Sequence, residues 1–189
     1  MLTASALVAQ LAAAPDAPPF FLFVRYRPQS GAARRAIAQG ADPVPLLTDV
    51  QRYGEMVTIG RQNVERFLAL PEAAGVVTAL CSPVPGARRQ RLLLDFSAPV
   101  SDRTEDELCR YIGHCGWPGW LLVSGASYHF IGRDMMPLAV WCRAMARALL
   151  IPGIDHRFMG HALHNDEGAL RLTTCPVKPH TPYVIAVLD

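Results

Sequence analysis

Between Leu121 and His129 the chain reads Leu-Leu-Val-Ser-Gly-Ala-Ser-Tyr-His, an apolar run that delivers a Ser-Gly pair and then a histidine. The pattern predicts a strand that opens into a tight polar turn, with Gly125 letting backbone amides approach a ligand closely. Upstream, Arg91-Leu-Leu-Leu-Asp-Phe96 has the pattern of a buried strand interrupted by a carboxylate. A charge beside three leucines is expensive unless it is paired or bound to a cation, so either Asp95 has a partner or the strand ends there and the carboxylate faces water. The rest of the chain is arranged around these two stretches, and an anion is expected at the Ser124–Gly125 turn.

With 51% hydrophobic and 18% charged residues, 189 residues are enough to bury a core, and they read as one compact domain. The 18 basic and 16 acidic side chains leave a net charge of +2, too even to argue for nucleic acid unless the basic residues cluster. The densest cluster is Arg88, Arg89 and Arg91, either a solvated hairpin tip or a contact to a phosphate backbone. Five cysteines, an odd number with no signal peptide before them, predict reduced thiols in a cytoplasmic protein. Cys109, His114, Cys115 and Cys142 match no familiar zinc spacing and read as small buried residues. Met1–Ala14 is apolar, lacks a basic flank and is too short to span a bilayer, so it is read as a packing helix with no membrane role. Neither G-x-S-x-G nor G-x-x-x-x-G-K-[ST] occurs.

Along the chain, periodicity predicts a helix over Ala4–Ala14 and a strand over Phe20–Tyr26, with Arg25 and Arg27 on one face. Gln29–Asp49 is punctuated by Gly, Ala and Pro, with a short helix over Ala32–Gln39. Strands are expected at Glu55–Ile59 and Gly75–Leu80, with a helical segment over Val64–Leu70 between them. Thr104–Cys115 reads as an amphipathic helix capped by Thr104, with acids in its first turn where the helix dipole favours them. Asp134–Leu150 reads as the longest helix, with Pro137 near its start. From Asp155 the chain reads as a hairpin through the polar turn His164–Gly168 to a strand at Ala169–Thr174, on which His161 and His164 would point to opposite faces. A loop at Pro176–Pro182 carries Lys178 and His180, and Tyr183–Leu188 is a last strand.

A strand with an Asp, then strand-Ser-Gly-x-x-x-His, a long helix, a hydrophobic-Asp step and Leu-Arg-Leu followed by Lys resembles the catalytic core of the archaeo-eukaryotic primase (primase-polymerase) superfamily. The resemblance spans roughly Arg91 to Lys178 and rests on the order and spacing of four short motifs. It implies a single α/β (α+β) domain, a mixed or antiparallel sheet flanked by helices, with an N-terminal αβ module over 1–90 and a motif-bearing, RRM-like module over 91–189. It places Asp95 and Asp155 as ligands of Mg²⁺ or Mn²⁺ and as catalytic carboxylates, and Ser124, Gly125 and His129 in the nucleotide-binding motif. Arg171 and Lys178 would face the triphosphate. The implied partners are a nucleoside triphosphate, DNA or RNA, and an additional replication or repair protein.

The chain departs from the family at the first motif, which usually carries two carboxylates one residue apart, because here the second position is Ser97. Two hard cations need several anionic oxygens, so Asp95 and Asp155 suit one ion and a neutral serine weakens a second site. Three functions stay open: a DNA-directed nucleotidyltransferase, a nucleotide- or nucleic-acid-binding module that has lost a metal ligand, and a structural or protein-binding domain. Independently of the family, a Ser-Gly turn, a histidine and two fixed cations together describe an anion pocket, while singly a histidine after a strand and an Arg among leucines are ordinary structural residues.

Overall fold

The computed structural model describes residues 1–27, 39–40 and 54–189. The expected helix over 32–39 and the punctuated stretch around it lie, but for the Gln39–Gly40 turn, outside the described residues. The described residues form five α-helices and two four-stranded antiparallel sheets, an α+β architecture.

Helix α1 (Ala4–Ala13) begins where Thr3 accepts the Ala6 amide and ends because Ala14, preceding Pro15, is held extended. Its Ala4, Leu7, Val8 and Ala12 are buried at helical spacing. The first sheet has the order β2-β1-β3-β7, built from β1 (Phe20–Tyr26), β2 (Gly54–Gly60), β3 (Val77–Cys81) and the short β7 (Ala169–Arg171). A 3₁₀ turn, Arg61–Asn63, leads into α2 (Val64–Leu68), which packs Val64 and Phe67 under the same sheet as α1.

The second sheet, ordered β4-β6-β5-β8, comprises β4 (Arg89–Phe96), β5 (Gly119–Val123), β6 (Tyr128–Pro137) and β8 (Tyr183–Leu188). Alternation along β4 divides its side chains between two cores. Leu92, Leu94 and Phe96 meet Leu121, Val123, Tyr128 and Phe130 beneath α3 (Asp102–Cys115), α4 (Leu138–Ala148) and α5 (His156–Asn165). Leu93, Leu122 and Ile131 face the other way, into a layer shared with Phe21, Phe23, Leu80 and Leu170 of the first sheet and with α1. The sheets therefore stack across an apolar layer, and helices cover the far side of the second one.

Three expected boundaries are corrected. Helix α3 starts at Asp102 behind a Ser101 cap, and Thr104 is the residue whose amide that serine accepts, at 3.2 Å. Asp134–Pro137 belongs to β6, not to a helix, because the residue before Pro137 is pushed to extended backbone and helix formation starts only at Leu138. The segment after Asp155 is the helix α5 and not a strand, since Met159 and Ala162 lock into the helix-side core one turn apart. His161 and His164 are thus three apart on a helix, and His161 Nδ1 is buried without a partner among the described residues.

Candidate functional site

The strand register builds the site. Asp95 lies two residues beyond Leu93 on the face of β4 that looks toward the first sheet, and it is directly opposite His129 of β6. On the other flank, Phe96 bridges Ile154, and the Asp155 amide donates to the Asp95 carbonyl at 2.9 Å. Directly opposed residues share a face of a pleated sheet, so Asp155, Asp95 and His129 form one row across three segments. The row continues through Leu122 and Val184 into the inter-sheet core. The polar residues occupy the end of this face, where apolar cover runs out: the Asp95 side chain keeps 29% of its surface and that of His129 only 8%.

Electrostatics differ sharply along the row. Burial, and next the neighbouring Asp155, push the Asp95 carboxyl up to about 7, against the opposing pull of Lys178, the Phe96 amide and Arg157. Burial, then Arg171 and Lys178, push His129 down to about 3, so its imidazole is neutral at physiological pH. Its Nε2 lies 3.6 Å from Asp95 Oδ1, close enough to sense the carboxylate but beyond a good hydrogen bond. Asp155 also caps α5: its Oδ1 accepts the Arg157 and Phe158 amides, each at 2.9 Å. One of its oxygens is thereby committed to the helix, and Oδ2 takes no part in the cap.

Ser124 closes the turn between β5 and β6. Its amide donates to the Ser127 carbonyl at 2.9 Å, so this N–H serves the turn and not an anion. Gly125, at φ +118°, faces His180: a Cβ built there would sit 3.7 Å from the His180 Cβ and Cδ2. The glycine is required by its backbone angle and by this close approach of two loops. Arg171, only 7% exposed, lies beneath both loops and donates to the Ser124 carbonyl at 2.6 Å, the Thr173 carbonyl at 2.7 Å and the His180 carbonyl at 2.8 Å. Lys178 is exposed on a tight turn whose ends are closed by reciprocal amide bonds with Cys175 of 2.9 and 3.1 Å.

The structure thus gathers Asp95, Asp155, Ser124, Gly125, His129, Arg171 and Lys178 at one end of the inter-sheet layer. It does not bring the arginine cluster there. Arg89, the first residue of β4, and Arg88 just before it are exposed, six and seven residues from Asp95 and so about 20 Å or more away along the strand. Arg91 is 4% exposed and donates to the Gly132 and Arg133 carbonyls, each at 2.6 Å, which removes it from contact with any nucleic acid in this conformation. Ser97 is exposed past the end of β4 and its hydroxyl donates weakly to the Gly153 carbonyl at 3.4 Å. Among the described residues no group of three or more His, Cys, Asp and Glu side chains is placed to hold a metal ion.

Two neighbours of the site lie outside the motifs. Tyr26 ends β1 and feels both Arg171 and Asp95, its hydroxyl raised chiefly by burial. Arg157, in the first turn of α5, acts on Asp95. No spacing marks Tyr26, which arrives from the other sheet, whereas Arg157 follows from recognising Asp155 as a helix cap.

The family model described as "AEP-like: Archaeo-eukaryotic primase 1D-like" matches residues 62–182, nearly two thirds of the chain, and takes in every motif from Asp95 to Lys178. No curated protein and no solved structure matches the chain. The chain belongs to the archaeo-eukaryotic primase-like family.

Proposed function

We propose that this domain is a primase-polymerase-like nucleotidyltransferase core that binds a nucleoside triphosphate with one divalent cation, Mg²⁺ or Mn²⁺, and acts on the end of a DNA or RNA chain. The observation that carries the reading is the row Asp155–Asp95–His129, two carboxylates and a neutral imidazole in register at the polar end of an otherwise apolar face. Two hard oxygen donors crowded enough for one to raise the other's affinity for a proton suit a cation, and Asp95 and Asp155 would hold it. When bound, the ion supplies charge neutralisation for phosphoryl transfer. A second ion lacks ligands, because Ser97 is neutral and no third acidic group joins the pair among the described residues.

The chain's own residues then divide the work. Lys178 offers a fixed positive charge to the triphosphate. His129, neutral above pH of about 3, donates its ring N–H as a hydrogen bond to a phosphate oxygen and does not transfer a proton to it. A binding module without catalysis is the second reading, supported by Ser97 in place of an acid and by the Asp155 oxygen engaged in capping.

Calorimetric titration of a nucleoside triphosphate with Mn²⁺, followed by extension of a primed template, tests both. Wild type is expected to bind, and Asp95→Ala to lose at least about tenfold in affinity, the loss of one charge-assisted ligand. Extension by wild type supports the enzyme. Extension appearing only in Ser97→Asp, which restores the second carboxylate, supports the binding module. Absence of nucleotide binding by wild type overturns both readings.

A further inference from the structure

The family resemblance assigns Arg171 to the incoming triphosphate, but its guanidinium is otherwise engaged. Arginine carries five N–H donors in a rigid planar fork. Three of the Arg171 hydrogen bonds end on backbone carbonyls from three separate places: Thr173 just past its own strand, His180 in the Pro176–Pro182 loop, and Ser124 at the hairpin turn, all within 2.8 Å. The side chain is buried, and above it Gly125 and His180 are in near contact across the two loops. Both loops flank the Asp155–Asp95–His129 row, and Lys178 sits on one of them.

We propose that Arg171 is a positioning residue of the anion site: it clamps the Ser124–Ser127 turn onto the loop that carries Lys178 and His180, and it touches no phosphate. This rests on reading the site as a nucleotide site. The charge that meets a triphosphate is then Lys178, delivered to Asp95 and His129 by a loop whose position Arg171 sets. A lysine at position 171 would keep the charge but has a single ammonium on a flexible stem, unable to span carbonyls on three segments at once. Charge and clamp are therefore separable by substitution.

The test compares wild type, Arg171→Lys, Arg171→Ala and Lys178→Met, titrated with a nucleoside triphosphate and Mg²⁺ over a series of NaCl concentrations, with amide hydrogen exchange measured on the same proteins without ligand. The clamp predicts that Arg171→Lys and Arg171→Ala weaken binding by a similar factor, about tenfold, and that exchange rises in residues 124–127 and 173–182 in both. It also predicts that the salt dependence of binding keeps the wild-type slope in the Arg171 variants and becomes shallower in Lys178→Met, because only the lysine loses a contact to phosphate. Wild-type affinity in Arg171→Lys together with loss in Arg171→Ala would overturn the proposal, as would a slope in Arg171→Ala as shallow as in Lys178→Met. If neither Arg171 variant folds, the wild-type protein still decides by side-chain NMR after labelling with ¹⁵N-arginine and ¹⁵N-lysine. Arg171 guanidinium signals that stay put on adding nucleoside triphosphate and Mg²⁺ support the clamp, and signals that shift by as much as those of the Lys178 ammonium refute it. Should wild type bind no nucleotide, the functional reading fails while the clamp is still judged by hydrogen exchange: unchanged protection of both loops in Arg171→Lys would sink it.

Discussion

Asp95 and His129 reverse the ordinary order of their protonation. The folded protein holds a proton on Asp95 from the ordinary value of 3.8 up to about 7, so this group's contribution to stability declines as pH rises through that window. His129, lowered from 6.5 to about 3, refuses a proton that the unfolded chain accepts, so its contribution is complete above 6.5 and is lost as pH falls toward 3. Between roughly pH 4 and 6.5 the folded and unfolded states bind equal numbers of protons at this pair, and the two slopes cancel. Asp95→Asn removes one of them. In metal-free buffer the stability of Asp95→Asn relative to wild type is expected to rise with pH across this window by up to about 1.4 kcal/mol per pH unit. Urea midpoints at several pH values measure it, and a difference that is flat with pH would show that Asp95 titrates as an ordinary carboxyl.

The helix that follows Asp155 gives this carboxylate two separable duties. As cap, its Oδ1 satisfies two otherwise unpaired amides at the start of α5, which contributes about 1 kcal/mol. As a charged oxygen it completes the row beside Asp95. Asn caps about as well as Asp but is neutral. Asp155→Ala is therefore expected to lower stability by roughly 1 kcal/mol and to weaken Mn²⁺-dependent nucleotide binding, while Asp155→Asn weakens binding at nearly wild-type stability. Equal thermal midpoints in the two variants would remove the capping role. The sequence pattern of α5 misleads because Gly160 and three histidines are weak helix formers, and because Asp155 is at once a candidate ligand and the helix cap. The helix exists because Met159 and Ala162 bury against the second sheet, a tertiary reason. At β6 the misreading has a local cause, the restraint that Pro137 puts on its predecessor, and this was legible.

Across the whole molecule the N-terminal and motif-bearing halves are interleaved. Strand β7 pairs with β3 and completes the first sheet, the Thr3 segment bridges to Tyr183 at the start of β8, and the inter-sheet core draws Leu93, Leu122, Ile131, Leu170 and Leu172 from beyond residue 90. A fragment of residues 1–90 would expose the apolar face that these side chains cover, at about 25 cal/mol for each Å² left in water. It is expected to show no cooperative thermal transition by circular dichroism, while the full chain unfolds in a single step. A sigmoidal melt of the fragment would mean that the first sheet is a folding unit by itself. At the same scale, Leu122→Ala opens a cavity in the fully buried layer beside His129 and is expected to cost about 2–5 kcal/mol, read as a shift in the urea midpoint.

Local sequence was sufficient for the strands at Phe20–Tyr26 and Tyr183–Leu188 and for α1, because alternation, helical spacing and proline act over a few residues. The order of short motifs was likewise sufficient for the family, since that order survives without knowledge of any contact. Tertiary structure alone decided which face each residue serves. It sets Asp155 beside Asp95 through a bridge between residues 58 apart, it turns Arg91 inward onto carbonyls, and it makes Arg171 a link among three segments. A strand register and a buried guanidinium are settled by what packs opposite them, and no stretch of sequence contains its own neighbours.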